Sequence, residues 1–380
     1  MSVRNISIRK KIALNLFQKY KKNESKIHTL NYILWECTLR CNLHCIHCGS
    51  DCKKDSFVND MPTEDFFKAI DQISSIVNPK NTMIVLTGGE ALLRNDIENI
   101  GINLYNRGFP WGIVTNGMLL DSHRLNSLSN SGLRAITISL DGLESSHNWI
   151  RGNKNSFEKV ISAIKLLKAT KDIKYDVVTC VHQRNFNELA QIKELLIEIG
   201  IKDWRIFTVF PIGRAKEQES LQLSPLEFKE LFDFIKQTRQ EKRITLNYGC
   251  EGFLGNYESE VRDGFFFCRA GINVASILAD GSISGCPNLR ANFTQGNIYN
   301  DNFAEIWQNK YEIFRDKSWT KTGTCSECDF YKYCEGNGMH LRDDQTNELL
   351  FCHLKRIEEG EKMPAHNIGL SFRWIRFEKT

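Results

Sequence analysis

The chain's 380 residues exceed one average domain, and 41% hydrophobic with 25% charged residues is the balance of an ordinary globular protein, which excludes a chain dominated by disorder. A net charge of +4 is too mild to mark a nucleic-acid binder. No run approaches the ~18 apolar residues of a membrane span, and the apolar run near the start, broken by Asn15, is too short for a signal peptide, so a cytoplasmic protein is expected. That compartment keeps thiols reduced, so 13 cysteines, odd in number and mostly in two tight groups, point to metal ligation rather than disulfides.

In chain order, residues 1–30 form a basic segment. Its first 26 residues carry Arg4, Arg9, Lys10, Lys11, Lys19, Lys21, Lys22 and Lys26 against the single acid Glu24. Ile12, Ala13, Leu14, Leu16, Phe17 and Tyr20 sit among them at helical spacing. Such a helix suits an ordinary packing face, an acidic partner, or peripheral contact of residues 1–26 with an anionic membrane. Strands follow at 31–35, 83–86, 112–115, 135–140, 175–181 and 204–210, each rich in branched or aromatic residues. Helical patterns alternate with them at 63–76, 96–107, 122–129, 156–169, 186–200 and 225–239, with Thr63 as the expected cap of the first. Six β–α pairs imply an α/β fold with a parallel sheet whose active residues gather at the carboxyl ends of the strands. Periodicity does not say whether the sheet closes. From about Cys250 the rhythm gives way to glycines, cysteines and short strands, with a hairpin at Asp280-Gly281. The expected division is therefore 31–240, 241–362 and a tail at 363–380.

Cys41, Cys45 and Cys48, in the loop after the first strand, have three and two intervening residues, a spacing that lets one loop wrap three corners of an iron–sulfur cubane. Three ligands leave one iron open. Zinc is the competing reading, given His44 and His47; Cys37 and Cys52 flank the trio and are read as non-ligands, with a register through Cys37 left open by counting alone. This spacing resembles the signature of the radical S-adenosylmethionine (SAM) superfamily, and further motifs fall in that family's order. Thr87-Gly88-Gly89-Glu90 is similar to the segment that holds the SAM amino group. Thr115-Asn116-Gly117 follows the third strand, Ser139-Leu140-Asp141-Gly142 resembles the ribose-contacting segment, and Arg151 matches the arginine that meets the SAM carboxylate. The aromatic that many members carry before the third cysteine is His47 here. The resemblance spans residues 31–213 and implies a partial (β/α)6 radical SAM barrel with a SAM-chelating [4Fe–4S] cluster. It also implies a 5′-deoxyadenosyl radical that abstracts hydrogen from a substrate, and a reductant such as flavodoxin or ferredoxin.

Cys268, Gly281, Cys286, Cys325, Cys328, Cys334 and Cys352 together resemble the SPASM extension, which binds auxiliary Fe–S clusters. The resemblance assigns Cys325, Cys328, Cys334 and Cys352 to one fully ligated cluster, with a zinc ribbon as its alternative. Cys268 and Cys286 would serve another, short of ligands because Gly338 stands where a cysteine is usual, unless Cys250, His340 or Asp343 completes it. One or two auxiliary clusters are thus expected. Pro211-Ile212-Gly213-Arg214-Ala215 is expected to edge the SAM site, and Cys180 to be a small buried hydrophobe. The layout is frequent among enzymes that act on ribosomally made peptides, so a peptide or protein maturase is the leading expectation. Pro287 stands where sulfatase maturases carry an aspartate, which counts against that reaction. Short segments at 35–41 and 336–341 resemble a subgroup described as a radical SAM/lipoprotein system. A small-molecule enzyme, acting for example on a cofactor or tetrapyrrole precursor, is the alternative. A non-catalytic Fe–S or zinc scaffold comes third, since it would have no use for Gly88, Gly89, Glu90 and Arg151.

Overall fold

The computed structural model describes residues 2–56, 58–343 and 345–364, so from 365 on the expected tail lies outside the described residues. The chain opens with α1 (Ile8–Ile27), and every expected strand then forms: β1 (Tyr32–Thr38), β2 (Met83–Gly88), β3 (Trp111–Thr115), β4 (Leu133–Ser139), β5 (Lys174–Val181) and β6 (Asp203–Thr208). They pair in sequence order and all run parallel. Parallel neighbours need crossovers, and these are helical: α2 (Thr63–Ile73), α3 (Ile97–Asn106), α4 (Ser122–Asn130), α5 (Glu144–Arg151), α6 (Ser156–Lys168), α7 (Gln183–Phe186) and α8 (Leu189–Ile199). After β6 comes α9 (Pro225–Glu241).

The later chain joins both edges of this sheet. β7 (Thr245–Tyr248) pairs with β6, while β8 (Val274–Ile277) runs parallel to β1 on its free side. β9 (Ser282–Ser284) and β10 (Gly296–Asn297) continue antiparallel, giving one sheet ordered β10-β9-β8-β1-β2-β3-β4-β5-β6-β7. Because β8 and β7 occupy the outer sides of β1 and β6, those two strands do not meet and the barrel stays partial. The remaining helices are α10 (Phe303–Asn309), α11 (Glu312–Arg315), α12 (Tyr331–Cys334) and α13 (His353–Lys362). Among the described residues no helix is long and apolar enough to cross a membrane.

The branched strand residues supply the core. Ile33, Ile84, Ile113, Ile136 and Val177 are 0 or 1% exposed, and Trp35 stacks on Phe66 of α2 with ring centres 3.7 Å apart. Each such side chain contributes about 1.5–3 kcal/mol by leaving water. α9 starts as its sequence dictates, with Pro225 in the first turn and a reciprocal box between Ser224 and Glu227. α2 does not. Pro62 occupies the cap position without a side-chain bond, and Thr63 lies inside the helix. Its hydroxyl donates to Asp96 (2.6 Å) and accepts from Arg94 (3.0 Å), so a tertiary partner has taken the group expected to cap. The helix expected at 186–200 forms as α8, starting three residues later, with the separate short α7 just before it, and the Asp280-Gly281 turn is the end of a four-residue loop with Gly281 at φ +85°. α5 was not expected. It ends at Arg151, where Gly152 takes the left-handed conformation that stops a helix.

Candidate active site

Thr38, Gly88, Thr115 and Ser139 are the last residues of β1 to β4, so the motif-bearing loops all leave the same end of the sheet. Cys41 and Cys45 are 8% exposed and pack with Leu43 and Cys52, against Leu39, Cys48 and Met118. The loop is closed by the Cys41 N–H donating to the Lys53 carbonyl (2.9 Å) and the Cys48 N–H to the Cys45 carbonyl (3.3 Å). Burial raises the Cys41 thiol to about 11, a shift that a bound cation reverses. Cys37 points elsewhere, its thiol donating to the Thr87 carbonyl (3.3 Å). Cys52 stays close, its N–H directed at the Cys48 sulfur (3.4 Å).

The Gly-Gly-Glu segment packs backbone to backbone on the start of this loop. The Gly89 N–H donates to the Thr38 carbonyl (2.8 Å) and the Glu90 N–H to the Arg40 carbonyl (2.9 Å). A Cβ on Gly88 would lie 2.1 Å from the Thr38 oxygen, and one on Gly89 2.1 Å from the Arg40 oxygen. Only glycine allows that approach. Glu90 is fully buried and accepts from the Thr115 hydroxyl (2.8 Å), the Asn116 N–H (2.8 Å) and the Leu92 N–H (3.1 Å). Burial pushes its pKa above the usual carboxylate range against the pull of these donors. An ionised carboxylate offers about four acceptor positions, so one remains for a ligand donor. The Asn116 amide reaches back to Asn42 (2.8 Å), tying the β3 loop to the cysteine loop.

Asp141, 1% exposed, receives the Cys180 N–H (2.8 Å) and forms an ion pair with Arg151 (2.5 Å). Burial alone would raise its pKa, but Arg151, then His47 and His147, bring it down to about 2. Arg151 also donates to the Cys45 sulfur (3.7 Å). His47 lies 3.5 Å from Asp141, and burial lowers it to about 4, so its ring is neutral at neutral pH. Among the described residues Arg151 Nε and His47 Nδ1 are buried without a hydrogen-bond partner. Ser139, half-buried, ends β4 one residue before the turn into this cluster. Cys180 shares a small apolar cluster with Ile46, Ile150 and Val209, next to the Asp141 carboxylate rather than in the main core.

The residue that sequence reasoning undervalued is Arg214, placed only as part of a segment edging the site. Its Nε donates to the Cys45 carbonyl (2.8 Å) and its Nη1 to the Cys52 carbonyl (2.9 Å) and Asp51 (2.8 Å). Its own N–H donates to the Cys48 carbonyl (3.1 Å). One side chain therefore braces the middle of the cysteine loop against its far end. Arg214→Ala is expected to cost about 1–3 kcal/mol by leaving those carbonyls unpaired, and to speed loss of reconstituted iron to a chelator severalfold. Iron retention equal to that of the wild type would contradict the brace.

The later chain carries the two sets of thiols expected to hold auxiliary clusters. Burial, then the Cys325 and Cys328 thiols, raises Cys352, and burial with Cys352 and Cys325 raises Cys334. The Arg342 guanidinium donates to the Cys325 sulfur (3.8 Å), and the Asn337 N–H to that of Cys334 (3.2 Å). Cys286 is pushed up to about 12 by burial, with the Cys250 and Cys268 thiols adding to it, while Cys250 itself is exposed. His340 turns instead to the Phe210 ring (4.8 Å), and Asp343 accepts the Gln345 and Thr346 N–H groups of its own turn.

Residues 35–196 match the family model of the Radical SAM superfamily, and residues 268–329 match SPASM, an iron–sulfur cluster-binding domain. The chain therefore carries a Radical SAM domain. It also carries, further along, a SPASM domain. These domains imply Fe–S clusters and SAM binding. The donor types suit both, since Cys41, Cys45 and Cys48 pack in one small cluster beside a buried carboxylate and a guanidinium with a free N–H, but among the described residues no three Cys, His, Asp or Glu side chains are set closely enough to hold a metal ion as they stand. The AdoMet-dependent heme synthase of Methanosarcina barkeri is 28% identical over 80% of this chain and 90% of its own length. That of Nitratidesulfovibrio vulgaris is 27% identical over 86% and 93%. The PqqA peptide cyclase of Bradyrhizobium diazoefficiens is 23% identical over 86% and 87%. Among solved structures, native anSMEcpe with bound AdoMet and a peptide aligns with TM-score 0.69 and 21% identity, over 87% of this chain and 95% of that one, a likeness of fold.

Proposed function

We propose that this enzyme cleaves SAM at a cluster held by Cys41, Cys45 and Cys48 and uses it to remove hydrogen from a tetrapyrrole. The first part is carried by one observation: the three thiols, the Glu90 carboxylate and the Arg151 guanidinium converge at the ends of β1 to β4. When bound, a reduced [4Fe–4S] cluster and SAM supply a 5′-deoxyadenosyl radical. The chain's own part is to hold and orient. Glu90 takes an ammonium group, held ready by Thr115, Asn116 and Leu92. Arg151 takes a carboxylate through its planar fork, aimed by Asp141. Ser139 and Asp141 are the candidates for contact with ribose hydroxyls, and the neutral His47 ring offers a face and a nitrogen beside Asp141. Cys325, Cys328, Cys334 and Cys352 hold one auxiliary cluster, and Cys250, Cys268 and Cys286 are the thiols available to a second.

The tetrapyrrole reading rests on the relatives. Two AdoMet-dependent heme synthases, at 28% and 27% identity, stand above the peptide cyclase at 23%. This favours the small-molecule alternative over the peptide maturase expected from the layout. The test is anaerobic turnover with SAM and dithionite, offering tetrapyrroles deuterated on their ring substituents. Deuterium appearing in 5′-deoxyadenosine is the expected result. No transfer from any tetrapyrrole, with transfer from a labelled peptide, would return the substrate to the peptide class.

A further inference from the structure

The basic helix α1 has one face fixed to the protein and another left uncovered. On the fixed side Leu14 is buried and Phe17 packs on Phe265, ring centres 5.3 Å apart. Lys21 pairs with Glu335 (2.8 Å) and Lys10 with Glu260 (2.9 Å). On the other side Ile8, Ile12, Leu16 and Tyr20 recur at every fourth position and are 78, 56, 62 and 45% exposed. Such spacing makes a slanting stripe along about 18 Å of helix. Single exposed aliphatics need no explanation, but a contiguous row marks an interaction surface. Arg9, Lys11, Lys19, Lys22 and Lys26 are exposed along the same helix, and among the described residues none of the five forms a salt bridge. The helix's single acid, Glu24, is turned to Asn273 (3.1 Å).

We propose that this face of α1 docks on an anionic lipid surface. The stripe would enter the boundary between headgroups and acyl chains, with the five cations on lipid phosphates. Charge argues against cover by the protein itself. Residues 365–380 carry Arg373, Arg376 and Lys379 against one acid, Glu378, and a second copy of α1 would likewise bring positive charge to positive charge. The described chain ends beside the start of α1, where the Val3 N–H donates to Glu361 (2.6 Å). Beyond it the sequence runs Phe372-Arg373-Trp374-Ile375-Arg376-Phe377, residue types suited to the same interface. Docking would also orient the enzyme, since Lys21 donates to the Tyr333 carbonyl (2.8 Å) in α12 and so fixes α1 over the Cys334 turn.

Reconstituted full-length protein is floated with vesicles of phosphatidylcholine alone or of equal parts phosphatidylcholine and phosphatidylglycerol, at low and high salt. Binding is expected only to the anionic vesicles, weakening as salt rises. Ile12→Asp/Leu16→Asp should reduce partition by about tenfold or more with iron content and circular dichroism unchanged, as both positions are exposed. Lys19→Glu/Lys22→Glu should also reduce it by about tenfold or more. No binding to the anionic vesicles, or undiminished binding of the Ile12/Leu16 variant, overturns the proposal. So does binding that appears only after residues 365–380 are removed, which would make the tail the cover. Protection of the stripe by an acidic protein such as ferredoxin, without vesicle binding, would replace lipid by protein.

Discussion

Asp141→Asn should destabilise the protein by about 3–5 kcal/mol, the range seen when one member of a buried ion pair is removed. The loss comes less from the missing attraction than from Arg151, which is 9% exposed and would remain charged with no carboxylate against it. Arg151 also lies on Cys45, so the same variant should weaken SAM binding through a misdirected guanidinium. Asp141→Asn/Arg151→Met removes both charges and should recover most of the stability but not SAM binding, which separates the two effects. Denaturant titration of each variant provides the check; a cost below about 1 kcal/mol for Asp141→Asn would mean the pair does not hold this corner. The pH dependence has a definite sign. A carboxylate whose folded pKa lies near 2, below the ordinary ~3.9 of an unfolded aspartate, contributes stability above that ordinary value and loses it as pH falls through about 2. Acidification to pH ~4 should therefore leave this pair intact.

Gly89→Ala is expected to strip the cysteine loop of iron. The added Cβ would fall 2.1 Å from the Arg40 carbonyl oxygen and 2.7 Å from its carbon. Both are backbone atoms, so no rotamer relieves the clash. The end of β2 must move off the loop, which breaks the bonds to the Thr38 and Arg40 carbonyls and shifts Glu90 with them. Overpacking of this kind costs about 1–3 kcal/mol, and each lost backbone bond adds roughly 1. Gly49→Ala is the matched control, because it adds a methyl group one residue after Cys48 where nothing lies within 4 Å. Iron content after reconstitution should fall by more than half in the first variant and stay at the wild-type level in the second. Equal retention would show that the close approach of Gly89 does not shape the loop.

The six β–α units were legible because each strand is a short run of branched residues and each covering helix has a clear apolar face. Where the reading failed, a non-local partner was responsible. Thr63 has the residue type of a cap but spends its hydroxyl on Asp96 and Arg94, thirty or so residues away in sequence. α5 escaped notice because Glu144-Ser145-Ser146-His147-Asn148 reads as polar loop, although four of the helix's eight residues are buried. The pairing of β8 with β1 joins segments about 240 residues apart, which no local pattern announces. The site followed the same division. Motif order singled out Glu90, Asp141 and Arg151 as candidates, whereas the brace formed by Arg214 depends on how distant loops meet. The one sequence signal for Arg214 was its place in Pro211-Ile212-Gly213-Arg214-Ala215, directly after the sixth strand.

The most direct measurement is anaerobic. The protein is purified and reconstituted without oxygen, its iron and sulfide are counted, and 5′-deoxyadenosine is followed after SAM and dithionite are added, alongside a Cys41→Ala/Cys45→Ala/Cys48→Ala variant. The account predicts about eight irons per chain with one auxiliary cluster, rising toward about twelve if the Cys250, Cys268 and Cys286 thiols hold a further one. It also predicts 5′-deoxyadenosine from the wild type and none from the triple variant. Zinc in place of iron, or deoxyadenosine formation that survives loss of the three cysteines, would contradict it.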